Sequence, residues 1–73
     1  MEKQTFINQM TARGCELETV GNGNITATKG DVTVRFVPLA NYIVYIDTPT
    51  VSAIVRKDAT DDETLRIVDG LTA

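Results

Sequence analysis

Alternating apolar and polar residues dominate the middle of the chain. Two or three short stretches between Asn24 and Asp47 follow this alternation, which is the period of a β-strand with one buried face. The stretch from Tyr42 to Ile46 departs from it, because all five of its residues are apolar. We therefore predict a sheet at the centre of the chain, with one strand that is apolar on both faces.

Turn-forming residues separate the predicted strands. The Asn-Gly pair in Gly21-Asn22-Gly23-Asn24 is typical of a tight hairpin, and Lys29-Gly30-Asp31 predicts a second turn. The segment from Thr50 to Arg56 fits a fifth strand or a short helix, and its β-branched residues favour the strand. The other predicted strands are Cys15 to Val20, Ile25 to Thr28, Val32 to Val37, which ends at Pro38-Leu39-Ala40-Asn41, and Tyr42 to Ile46, which ends at Asp47-Thr48-Pro49.

Two helices are predicted at the two ends of the chain. Near the N-terminus, Phe6, Ile7 and Met10 form an apolar stripe, and Gly14 ends a helix from Glu2 to Arg13. Near the C-terminus, Thr60-Asp61-Asp62-Glu63 has the spacing of a capping box, which predicts a helix from about Asp61. Its apolar residues give it a broad inner face: Leu65, Ile67, Val68 and Leu71.

These elements predict a single α+β domain over residues 1–73. Its centre is a small antiparallel β-meander of three to five strands, with a helix on either side of it in the sequence. A chain of this length buries only about 60% of its unfolded surface, so its stability is expected to be modest unless association adds to it.

Composition and charge disfavour several classes of function. The chain has 7 basic and 10 acidic residues, hence a net charge of -3, and no histidine. The charge disfavours direct binding to nucleic acid or to an anionic membrane, and the lack of histidine removes Ser-His-Asp and Cys-His arrangements. No run is long and apolar enough to span a membrane, and no signal-peptide pattern begins the chain. The single Cys15 fits a reducing compartment, so we expect a cytoplasmic protein.

Several groups could carry chemistry, but each has a simpler structural interpretation. Cys15 is a candidate nucleophile, yet free cysteines more often serve as small buried apolar residues. The carboxylates at positions 58 and 61–63 lack the glycine and spacing of a calcium loop, so helix capping explains them better. Gly21-Asn22-Gly23 lacks the third glycine and the helix of a phosphate-binding loop. We therefore predict no catalytic residues, no metal and no cofactor.

The outer face of the sheet is the preferred candidate for partner binding. If Val32, Val34, Phe36, Tyr42, Val44 and Ile46 pack inward on the helices, the intervening residues must project to the other side. That would leave an apolar patch formed by Val37, Ile43 and Tyr45 beside Arg35. Tyrosine and arginine often anchor protein interfaces, so this patch predicts a protein partner. The alternative is that a helix or the fifth segment covers this face within the same chain.

Three function classes follow. The first is a non-enzymatic binding protein that covers a site on a larger protein. Its small, acidic, cofactor-free layout resembles that of many inhibitors encoded by viruses or mobile elements, including anti-CRISPR proteins; the resemblance covers layout alone and carries over no residues. Within this class, a cluster of acids could instead imitate phosphates toward a basic partner: Asp58, Asp61, Asp62 and Glu63. The second class is a homodimeric structural or accessory module that pairs through its sheet face. The third, an enzyme, is the least favoured.

Overall fold

A computed structural model describes residues 1–39 and 42–72, and of residues 42 and 43 it describes only the backbone. It contains two helices and a five-stranded antiparallel sheet, which confirms the predicted α+β fold. The strands follow one another in chain order across the sheet. Their bounds are β1 Glu16–Thr19, β2 Ile25–Lys29, β3 Val32–Phe36, β4 Tyr42–Asp47 and β5 Ser52–Arg56, and the helices are α1 Lys3–Ala12 and α2 Asp61–Thr72.

Glycine ends α1 as predicted. Gly14 has a φ of +81°, the left-handed conformation in which many helices close. Its N–H donates to the carbonyl of Thr11 at 3.0 Å, and the N–H of Cys15 donates to that of Met10 at 3.1 Å. This pair of bonds is a Schellman motif, and it turns the chain directly into β1.

The hairpin between β1 and β2 also forms where the Asn-Gly pair predicted it. Asn22 and Gly23 have φ values of 63° and 76°, as the two central residues of a type I′ turn require. The turn closes with a hydrogen bond of 3.3 Å from the N–H of Asn24 to the carbonyl of Gly21.

Both helices pack on the same face of the sheet. The rings of Phe6 in α1 and Phe36 in β3 stack with their centroids 5.1 Å apart. Val68 of α2 joins the same core, and Leu65 and Leu71 pack against it. The other fully buried apolar residues are Met10, Ile25, Ala27, Val34, Val44, Ile46 and Val55. The inward side chains of β3 and the second half of β4 are therefore as predicted.

The inner face of α2 differs from its prediction at one position. Ile67 is 40% exposed, whereas Thr64 is buried. Thr64 and Val68 are four residues apart and therefore lie one above the other, while Ile67 is turned about 100° away from Val68. Burial of Thr64 is tolerated because its hydroxyl donates to the carbonyl of Thr60 at 3.0 Å.

The fifth segment is a strand, as its β-branched residues favoured. β5 pairs with β4, with a shift of register between Tyr42 and Val44. Three predictions fall outside the described residues: the inward side chain of Tyr42, the outward side chain of Ile43, and the part of the Pro38-Leu39-Ala40-Asn41 turn at residues 40 and 41.

The capping box of α2 generates a prediction about stability. The Thr60 hydroxyl accepts a bond from the N–H of Glu63 at 3.1 Å, and the Glu63 carboxylate accepts one from the N–H of Thr60 at 3.3 Å. Replacing Thr60 with alanine should lower the free energy of unfolding by about 1 kcal/mol. The measurement is a urea titration, and Thr60→Ser, which keeps the hydroxyl, is the matched control. Equal urea midpoints for the alanine variant and the parent would contradict the role of the cap.

A second prediction concerns the ion pair between the helices. Arg13 donates to both carboxylate oxygens of Asp69, at 2.6 and 3.0 Å, and this holds the pKa of Asp69 below its usual range. A carboxyl whose pKa is lowered by folding stabilises the protein above its unfolded pKa and loses that contribution as the pH falls through the folded value. The urea midpoint of the parent should therefore exceed that of Asp69→Asn at pH 7, and the gap should close in acid. A gap that stayed constant down to pH 2 would show that the ion pair is not its cause.

Candidate partner-binding surface

Neither helix of the described residues lies on the outer face of the sheet, because both pack on the other side. Its central row crosses all five strands through paired positions. In order from one edge to the other, the row contains Glu18, Thr26, Arg35, Tyr45 and Ile54. These residues define the surface called here the outer row, and the strand register alone brings them together.

A shallow depression of about 430 Å³ lies on this face. Three of its lining residues belong to the outer row: Thr26, Arg35 and Tyr45. Val37, which follows β3 directly, and Val20, which follows β1, add apolar walls. Val37 and Tyr45 are partly buried, whereas Val20 is 40% exposed. The structure thus places Val37, Arg35 and Tyr45 together, as the sequence predicted.

Ile54 extends this apolar surface toward the β5 edge. It pairs with Tyr45 across the strands and is 57% exposed. The β-branched residues from Thr50 to Arg56 favoured a strand, but Ile54 was not assigned to either face. Ser52 and Arg56 carry the signal that would have found it, because a strand with polar residues two positions before and after Ile54 turns Ile54 to the same side as they are.

Arg35 and Asp47 form a hydrogen-bonded ion pair on the outer face. Arg35 donates to Asp47 at 2.9 Å, and the Ser52 hydroxyl donates to the other oxygen of the same carboxylate, also at 2.9 Å. The Ser52 bond, and after it the Arg35 bond, hold the pKa of Asp47 below its usual range. Arg35 is thereby held in one orientation at the rim of the depression, with its charge balanced by Asp47.

Asp61 and Asp62 lie apart from this surface. Both are exposed in the first turn of α2, and α2 packs on the opposite face of the sheet. Asp61 lies 3.5 Å from the amino group of Met1, and Glu63 next to them belongs to the capping box. The six predicted partner-binding residues therefore do not form one site: Arg35, Val37 and Tyr45 share a face, and the two aspartates occupy another side of the molecule.

A smaller cleft of about 250 Å³ lies beside the end of α1. It is lined by Arg13, Cys15, Lys29, Val68, Asp69 and Thr72. Three of these side chains are already paired, because Arg13 binds Asp69 and the Lys29 amine donates to the carbonyl of Arg13 at 2.9 Å. Cys15 is partly buried and packs against the core, in keeping with its interpretation as a small apolar residue.

Over residues 1–39 and 42–72, no group of three or more histidine, cysteine, aspartate or glutamate residues could hold a metal ion. In the same part of the chain, no helix has both the length and the apolar character needed to cross a membrane.

We expect Tyr45→Lys to fold normally, because the side chain lies on the helix-free face and is only partly buried. The far-ultraviolet circular dichroism spectrum should match that of the parent. Val44→Lys is the contrasting variant, because Val44 is fully buried in the core and a lysine there should unfold the protein. Loss of structure in Tyr45→Lys as well would place Tyr45 in the core.

Comparison with known proteins gives no relative from which to assign a function. No protein-family model, no curated protein and no solved structure matches the chain.

Proposed function

We propose that this chain is a non-enzymatic binding protein that covers a site on a larger protein with the outer face of its sheet. The observation that carries the proposal is the helix-free outer face, whose partly buried Tyr45 and Val37 adjoin the exposed Ile54 and Val20. Apolar side chains gathered on one exposed surface, with a tyrosine and an arginine among them, are typical of protein interfaces.

The net negative charge of the chain favours a protein partner over a polyanion. The chain has a net charge of -3, and Arg35 on the outer face already neutralises Asp47. A nucleic acid or an anionic lipid surface would meet net repulsion there. An apolar patch on another protein would bury the outer row without such a penalty, and a hydrogen-bond acceptor on that protein could receive the remaining Arg35 donors.

The mode of action that fits this surface is steric occlusion in the cytosol. A small protein of this kind acts by preventing another contact of its partner, as an inhibitor of viral or mobile-element type does, and needs no catalytic group. The layout of the chain resembles such inhibitors, anti-CRISPR proteins among them. The second candidate is a homodimeric module that pairs through the same face, and the same apolar residues support it.

Affinity capture from the native host tests the binding face. Immobilised parent protein should retain a partner that Tyr45→Lys fails to retain, because a buried lysine in the interface would be desolvated without a counter-charge. Ile67→Lys is the matched control: it also places a lysine at an apolar surface position, but on α2, on the other side of the molecule. Binding that is lost equally in both variants would contradict the outer face as the site.

Charge reversal at Asp61 and Asp62 separates this mode from phosphate imitation. With the captured partner purified, the double variant should bind as the parent does, and the affinity should change little between low and high salt. Exposed ion pairs are screened over about 10 Å at 0.1 M salt, so a carboxylate-based contact would weaken strongly. Loss of binding in the double variant together with a steep salt dependence would indicate that the partner binds the acidic first turn of α2 and not the outer face.

A further inference from the structure

β5 is an edge strand whose outer side lacks a strand neighbour. The sheet order places β1 and β5 at its two edges. A backbone hydrogen bond of 3.2 Å runs from the N–H of Ala59, beyond the end of β5, to the carbonyl of Arg56. Such an edge presents backbone donors and acceptors to any strand that can align with it.

The two edges differ in how they meet a copy of themselves. When a strand pairs antiparallel with the same strand of a second copy, the two copies are related by a twofold axis. This axis must pass through a residue and not between two residues. Only then do side chains on the same face of the sheet lie opposite each other, because side chains alternate between the faces. In β1, centring on Leu17 places Glu16 opposite Glu18, and centring on Glu18 places that residue opposite itself. Both registers oppose exposed carboxylates, so β1 is protected against self-association.

We infer that β5 pairs with β5 of a second copy of this chain, about a twofold axis at Ile54. In this register Ser52 lies opposite Arg56, Ala53 opposite Val55, and Ile54 opposite its own counterpart. The register spans all five residues of the strand, brings no like charges together, and makes the exposed Ile54 side chains neighbours.

A second copy fits this edge better than a β1 edge does. Pairing β5 of one copy with β1 of the next is head-to-tail and would leave free edges at both ends, which leads to open chains of molecules. Pairing β5 with itself closes after two copies. It also leaves the two β1 edges, with their glutamates, at the ends of a ten-stranded sheet.

The dimer would align the outer faces of the two copies. A twofold axis perpendicular to the sheet keeps both pairs of helices on one side, so the apolar part of the outer row continues as Tyr45, Ile54, Ile54 and Tyr45. This inference goes beyond the proposed function and does not rest on it. The contact uses the edge of the sheet and leaves the outer-face depression of each copy open.

The contact is small, so its affinity is expected to be low. A five-residue strand is about 17 Å long, and an interface of that length lies in the range of transient complexes, below about 1,200 Å². The expected observation is a mass that rises with concentration through the micromolar range toward that of two chains.

Sedimentation equilibrium of the full chain over a concentration series tests the register. Ile54→Lys and Ile54→Glu should each weaken self-association at least about tenfold, since like charges would meet at the twofold axis. Mixing the two variants in equal amounts should restore it, because a lysine would then oppose a glutamate. Thr26→Lys, on the same face but on β2, is the control and should dimerise as the parent does.

Two results would overturn the inference. One is a parent protein that stays at the mass of a single chain up to the highest concentration reached. The other is a dimer that Thr26→Lys dissociates as effectively as the Ile54 variants, which would indicate pairing through the sheet face. Capture of the protein partner is measured separately with Tyr45→Lys. Failure of the edge contact can therefore be told apart from failure of the proposed function.

Discussion

The burial of Phe6 against Phe36 is the contact on which the arrangement of this small protein depends. It joins α1 to the central strand of the sheet, and both side chains are almost completely removed from solvent. Each ring of this size contributes a large share of the apolar area that a chain of 73 residues can bury. Because Phe36 is committed to this contact, the two-residue period of β3 sends Arg35 to the opposite face, and the cross-strand register carries Thr26 and Tyr45 with it.

The one-sided placement of the helices has a consequence for function. A two-layer protein with a single core keeps one face of its sheet in contact with water, and such faces are normally polar. Here the threonines, Arg35 and Asp47 meet that expectation, whereas Val37, Tyr45 and Ile54 do not. These side chains lie outside the core that the helices cover, and association is the role we propose for them. The face and the β5 edge together offer two separate surfaces for it.

Stability and association are linked in a domain this small. The local devices are individually modest: a Schellman motif after α1, a capping box before α2, and a bidentate ion pair between Arg13 and Asp69. Surface contacts of these kinds are individually weak, so the core provides most of the stability. A partner that covers the outer face would stabilise the folded chain further by mass action, since the unfolded chain lacks the surface that binds.

The sequence by itself determined the elements and the sides of the central strands. Glycine at position 14, the Asn22-Gly23 pair and the Thr60 to Glu63 box are local signals whose geometry requires few neighbours, and strict alternation assigned β3 to its two faces. The fold class, and Val37, Arg35 and Tyr45 as neighbours on one face, were predictable on that basis. Only the tertiary structure decided that both helices share one side and that Thr64 replaces Ile67 in the core. These outcomes depend on contacts between segments far apart in the chain, and local residue patterns do not encode which of two sheet faces a helix will cover.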